Sequence, residues 1–253
     1  MKFPAALLSA TILAGGSLAA ATKSDRVRQV RFLALGESPP FRQEIRDDVR
    51  YELEPSDGSI PPREVMLGFG GEKSEPASLR LGQISAPLSA PSGAGPLLLV
   101  LRDADKNAEP WLRLTRPDSG DFLVLLWRDA KQGSWLKARS LVVPDDAVSA
   151  PAGSVRYVNV SPAAVGITIG DEKLMLGAGK MFKRTVPVSV EQPFEILLPD
   201  TTGALKRLHS GVVMQNPGER TLVLIYFADG VGHRRPLKVT VQREQVPVAP
   251  ARK

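Results

Sequence analysis

Apolar and polar residues alternate over short distances along most of this chain, which is typical of half-buried β-strands. Val49–Glu54 and Trp111–Thr115 both show the alternation. Turn signals recur roughly every eight to twelve residues, and no helical stretch separates the strands. One segment, Phe41–Asp48, is ambiguous, because apolar residues there recur every four positions, as in a short helix. The pattern predicts an all-β protein of small antiparallel β-sandwiches.

Two longer apolar runs stand out from this alternation. Phe122–Trp127 follows a turn at Asp118–Asp121, and Leu222–Phe227 follows a turn at Asn216–Gly218. We interpret the two runs as matching central strands of two related modules.

Other segments of the two halves match in the same order. The pairs are Val30–Leu35 with Val155–Val160, Leu79–Gly82 with Leu174–Gly177, Leu97–Asp103 with Phe194–Asp200, and Arg139–Pro144 with the region Leu237–Gln242. The offset shortens after the first pair, so the first half carries roughly thirty extra residues between Gly36 and Leu79. The repeat predicts two tandem Ig-like antiparallel β-sandwich domains.

The first residues of the chain have the pattern of a secretory signal. Lys2 precedes an apolar segment, Phe3–Leu18, and Ala19–Ala21 supplies the small residues for cleavage before Thr22. An uncleaved anchor is the alternative. No later stretch is long and apolar enough to cross a bilayer, so we expect a periplasmic or secreted mature protein without a transmembrane segment.

These features divide the chain into four parts. Residues 1–21 are the expected signal peptide, and residues 22–148 form the first sandwich, with an insertion near 37–78. The segment Pro144–Gly153, around the boundary between the two sandwiches, is rich in Pro, Ala and Ser, which is typical of a linker. Residues 149–244 form the second sandwich, and residues 245–253 are expected to be a disordered basic tail.

The net charge of +6 is unevenly distributed. Residues 23–148 carry 18 Lys/Arg and 19 Asp/Glu, whereas residues 149–253 carry 14 and 8. A basic half attracts anionic partners, although it can equally be a solubilising surface. We expect an envelope protein or an anionic polymer as partner and no nucleic acid. The candidate binding residues, whose alternative is solvated loops, are Lys206, Arg207, His209, His233, Arg234 and Arg235.

Composition and spacing argue against several kinds of chemistry. The absence of cysteine excludes disulfides, thiolate metal sites and a Cys nucleophile. The two histidines are far apart and lack carboxylates at ligand spacing, so we predict no metal site. Gly177–Lys180 fails the phosphate-loop pattern, and we interpret its glycines as turn residues between strands. Asp103–Asn107 fails the calcium-loop pattern, and we interpret it as a polar turn between strands, with a weak cation site as the alternative. We identify no catalytic residue and expect no cofactor.

Two further residues have alternative interpretations. Trp135 follows Gly133 and Ser134 and could be exposed to stack on a sugar ring, or it could pack in the core. Asn159 begins a glycosylation sequon by pattern, but it lies within or at the end of a strand.

The run Ser154–Pro162, followed by Val165–Gly170, resembles the opening of DUF4397-like β-sandwich domains of exported bacterial proteins. The resemblance implies an exported sandwich and carries no catalytic residue.

The sequence as a whole favours an exported, non-catalytic binding or structural module of the bacterial cell envelope. Alternatives are a periplasmic chaperone-like protein, a carbohydrate-binding protein, or a hydrolase that acts on envelope polymers.

Overall fold

A computed structural model describes residues 27–71, 73–105, 108–129, 133–230 and 236–246. These residues form eighteen strands and no helix, which confirms the predicted all-β class. The expected signal peptide lies outside the described residues. Gln245, the first residue of the predicted tail, is still the last residue of a strand.

The first sandwich contains two four-stranded sheets. The inner sheet consists of β1 (Arg28–Leu35), β6 (Leu88–Ala90), β9 (Phe122–Arg128) and β10 (Ala138–Pro144), in the order β10-β9-β1-β6. The outer sheet consists of β4 (Glu64–Gly68), β5 (Ser74–Ser78), β7 (Gly95–Leu101) and β8 (Leu112–Arg116), in the order β5-β4-β7-β8.

The second sandwich repeats this arrangement. Its inner sheet consists of β11 (Ser154–Asn159), β14 (Met181–Thr185), β17 (Glu219–Phe227) and β18 (Leu237–Gln245), in the order β14-β11-β17-β18. Its outer sheet consists of β12 (Val165–Ile169), β13 (Glu172–Leu176), β15 (Gln192–Pro199) and β16 (Leu205–Val213), in the order β13-β12-β15-β16.

The strand orders make the two sandwiches topologically equivalent. Each inner sheet holds one parallel pair, β1 with β9 and β11 with β17, and all other ladders are antiparallel. One predicted match is wrong: β13 corresponds to β5, whereas Leu79–Gly82 follows β5. The polar sequence of β5, in which only Ala77 is buried, conceals the strand.

The extra residues of the first sandwich contain a separate hairpin, β2 (Gln43–Arg46) and β3 (Val49–Glu52). Asp47 and Asp48 form its two-residue turn with φ of 50° and 60°. Asp tolerates this left-handed conformation, which matches the twist of the flanking strands. The helical alternative for Phe41–Asp48 is therefore wrong.

The central strands of both inner sheets are buried on both faces. In β1, Phe32 faces the core of its own sandwich, whereas Leu33 belongs to an apolar cluster between the two inner sheets. Val223 and Leu224 on β17 divide in the same way. This double burial explains why both long runs are continuously apolar. We call the cluster between the inner sheets the interface core.

Replacing Leu224, which is fully buried in the interface core, should reveal how far this core stabilises the protein. Leu224→Ala should lower the free energy of unfolding by about 2–5 kcal/mol, because it removes apolar contacts and leaves a cavity. The matched control Leu205→Ala, at an exposed position on β16, should change it by less than about 0.5 kcal/mol. Urea denaturation measures both; equal losses would contradict a buried interface.

Candidate functional site

One end of the interface core opens into a groove between the sandwiches, with about 610 Å³ of space. The end of β9, the start of β10 and the end of β17 form its walls, together with two loops of the second sandwich. We call it the inter-sandwich groove. Its principal side chains are Trp127, Arg139, Leu141, Pro162, Tyr226 and Phe227.

A buried ion pair closes the base of this groove. Arg128, with a side chain only 8% exposed, donates from Nε to Asp229 Oδ2 at 2.6 Å and from Nη2 to the Asp229 carbonyl at 2.8 Å. Asp229 also accepts the backbone amide of Glu37 at 2.8 Å, and Glu37 in turn accepts the amide of Gly230 at 2.8 Å. These reciprocal bonds fix the ends of β1, β9 and β17 relative to one another.

The groove combines apolar walls with a cation at its mouth. Trp127, Leu141 and Phe227 are half-buried. The Arg139 side chain is 64% exposed and pairs with Asp129 at 2.7 Å. Both groove carboxylates, Asp129 and Asp229, are thus engaged by arginines. Apolar walls beside an exposed arginine are features that can bind a ligand with apolar and acidic groups.

A second cluster of charges lies at the opposite end of the interface core. Asp145 pairs with Arg31, with Arg156 at 3.1 Å and with Arg220 at 3.2 Å. Glu244 pairs with Arg31 and with Arg220 at 3.1 Å. Arg31 comes from the first half of the chain and Asp145 from the linker after it. Arg156, Arg220 and Glu244 come from the second half. The cluster therefore links the sandwiches electrostatically.

The environment shifts the pKa of Glu244 and of Arg156 in this cluster. Burial alone would raise the pKa of Glu244, but hydrogen bonds and charges from Arg31 and Arg220 outweigh it and lower the pKa. Burial lowers the pKa of Arg156, opposed by the Asp145 charge. Since Glu244 is held ionised by arginines and Asp145 pairs with three arginines, we interpret the cluster as structural.

The structure places three of the predicted binding residues on one strand away from the groove. Lys206, Arg207 and His209 lie on β16, at the edge of the second outer sheet. None of them lines the inter-sandwich groove.

Both cations on β16 already have carboxylate partners. Lys206 pairs with Asp200 at 3.2 Å, and Arg207 pairs with Glu195 at 2.7 Å. The His209 ring lies 5.5 Å from the Phe194 ring. His233, Arg234 and Arg235 lie outside the described residues, so an anion-binding role for the six residues stays a prediction.

Trp135 is 1% exposed and belongs to the core of the first sandwich. Its backbone amide donates to the Gly58 carbonyl at 2.7 Å, and its carbonyl accepts the Trp111 indole N–H at 2.7 Å. The exposed interpretation of Trp135 is therefore wrong, because the insertion that contains Gly58 contacts this loop. The ring is not accessible to a sugar.

Asn159 is also inaccessible. Its side chain is fully buried and donates to the carbonyls of Ala163 and Leu176 at 2.8 and 2.9 Å. Asn159 thus joins the loop after β11 to the end of β13. Gly177–Lys180 forms the turn between β13 and β14, which confirms the interpretation of its glycines as turn residues.

Sequence reasoning did not identify the groove residues. Arg128 is the first residue after one of the two matching apolar runs, and Asp229 is the second residue after the other. Their closeness to the ends of these runs is the signal that could have singled them out. Their pairing depends on the packing of the two inner sheets, which no local pattern encodes.

No protein-family model matches the chain, and no curated protein is significantly similar to it in sequence. Within the described ranges there is no group of three or more His, Asp or Glu side chains that could hold a metal ion. The same residues include no helix long and apolar enough to span a membrane.

Removing the Asp229 carboxylate should weaken the groove end of the molecule. Asp229→Ala leaves the buried Arg128 guanidinium without its carboxylate partner and should lower the free energy of unfolding by about 3 kcal/mol. Asp129→Ala, which breaks the exposed pair with Arg139, should cost about 1 kcal/mol or less. Chemical denaturation compares them. Similar effects of the two substitutions would contradict a structural role for the buried pair.

The cluster at the other end should make stability depend on pH. Because the pKa of Glu244 is lowered on folding, its contribution is present above the unfolded value of about 4.3 and is lost as pH falls through the folded value. Glu244→Gln should therefore cost about 1–2 kcal/mol at pH 7 and much less at pH 3.

The control is Glu172→Gln, which alters an exposed pair with Arg184. It should change stability little at either pH. Thermal or urea unfolding across the pH series measures both variants, and a pH-independent effect of Glu244→Gln would contradict the assigned role of the charge.

Proposed function

We propose that this protein is an exported, non-catalytic binding module of the bacterial cell envelope, and that it contacts an anionic or protein partner through the inter-sandwich groove. The signal-like sequence Met1–Ala21 supports export. The groove supports binding, because a concave apolar surface with a few polar groups is the usual form of a ligand site.

The observation that carries the proposal is the combination of Arg139 with the apolar walls. Arg139 is exposed at the groove mouth, and Trp127, Leu141 and Phe227 lie beside it. Aromatic and arginine side chains dominate protein recognition energetically. An acidic group on the partner could displace Asp129 as the acceptor for Arg139, while an apolar group occupies the groove.

The groove and the sequence-predicted patch can be distinguished with a matched pair of variants. Arg139 and Arg207 are similarly exposed, at 64% and 62%, and each pairs with one carboxylate at 2.7 Å. Immobilised mature protein is incubated with envelope extract, and the retained partner is quantified along a salt series. Arg139→Ala should reduce retention about tenfold, through loss of one charge-assisted contact, and Arg207→Ala should leave it unchanged.

Retention by the wild type should also decrease as salt rises, because screening weakens contacts between exposed charges. Loss of retention with Arg207→Ala alone would move the site to β16. A partner that is insensitive to salt and to both substitutions would contradict the electrostatic contact. Failure of the wild type to retain any partner would contradict the binding function.

A further inference from the structure

The β2–β3 hairpin is the part of the insertion that joins neither sandwich. Its strands pair only with each other among the described residues and form a sheet of their own. Phe41, Ile45, Val49 and Tyr51 are between 49% and 68% exposed. An isolated two-stranded hairpin is marginally stable in water, and three or more strands are normally needed. The hairpin is thus suited to pairing with a further strand.

In the part of the chain that the structure describes, no strand pairs with the outer edge of β2. The Leu53 amide donates to the Arg42 carbonyl across the hairpin at 3.0 Å. Backbone groups alternate in direction along an antiparallel strand. The N–H and C=O groups of Glu44 and Arg46 therefore also face β3, whereas those of Gln43 and Ile45 point outward. An added strand would hydrogen-bond to these two residues.

The sequence of β2 is complementary to itself. When two copies pair antiparallel about a twofold axis at Ile45, the outward backbone groups of the two Ile45 residues face each other. Glu44 of each copy then lies opposite Arg46 of the other, and Arg42 lies beside the Asp47–Asp48 turn. We propose that the protein forms a symmetric dimer through β2, with a four-stranded sheet β3-β2-β2-β3 across the twofold axis.

Charge favours β2 over β3 as the pairing edge. A twofold axis at Tyr51 would also place Arg50 opposite Glu52, but it would bring Asp48 close to Glu54 of the other copy. Like charges that face each other across strands are destabilising. Pairing through β2 instead places Arg42 of one copy near Asp48 of the other, at the same distance from the axis, and these two residues carry opposite charges.

The contact is smaller than a standard protein interface, so the dimer should be weak and concentration-dependent. Sedimentation velocity of the mature protein between about 1 µM and about 1 mM should show a rise from monomer to dimer. Ile45→Lys places two like charges on the axis and should keep the protein monomeric throughout. Since Ile45 is exposed, circular dichroism should confirm an unchanged fold.

A charge exchange tests the register. Glu44→Arg and Arg46→Glu each create like-charge pairs in a homodimer, and each variant alone should dimerise at least about tenfold more weakly. In an equimolar mixture, the arginine introduced at position 44 lies opposite the glutamate introduced at position 46, so dimerisation should return. Within each variant chain, positions 44 and 46 still carry like charges in the mixture. Contacts inside one chain therefore cannot explain such a rescue.

The corresponding variants of β3, Arg50→Glu and Glu52→Arg, should dimerise like the wild type. A monomeric wild type at every concentration would overturn the proposal. Undiminished dimerisation of Glu44→Arg alone would also overturn it. So would weakened dimerisation of Arg50→Glu and Glu52→Arg that returns when these two β3 variants are mixed.

Discussion

The structure depends on the apolar contact between the two inner sheets. Sandwiches in tandem are often joined only by a linker, and relative motion is then expected. Here alternate residues of β1, β9, β11 and β17 belong either to a sandwich core or to the interface core. The same strands thus stabilise the sandwiches and hold them together, and the walls of the inter-sandwich groove are fixed by that packing.

Charged groups complete this interface at both ends. Arg128 and Asp229 pair at the groove end, while the arginines around Asp145 and Glu244 occupy the opposite end. Buried ion pairs add little net stability compared with apolar contacts, but an unpaired member is costly. These ion pairs therefore favour the one arrangement of the two sheets in which each of these arginines is paired with a carboxylate.

The sequence was sufficient for the fold class and for most of the repeat, because period-two alternation and continuous apolar runs are local signals of burial. It did not predict β5, which has a polar sequence, or β6, which is only three residues long. Each is an edge strand that forms through pairing with one neighbour, β4 and β1 respectively. The sequence left Trp135 open between core and surface, because the loop that covers it is distant in sequence. The groove could not be predicted, since its residues become neighbours only when two sheets pack face to face, whereas a charge run such as Lys206-Arg207 is visible without structure.

The central claim, that the interface core holds the two sandwiches in one relative arrangement, can be tested most directly by a distance measurement. The chain contains no cysteine, so Thr115→Cys and Lys173→Cys would place one spin label on the outer sheet of each sandwich without competing sites. Double electron–electron resonance should give a single narrow distance distribution that does not change with ionic strength. A broad or multimodal distribution would show that the sandwiches move independently, and it would contradict the interface core as the basis of the structure.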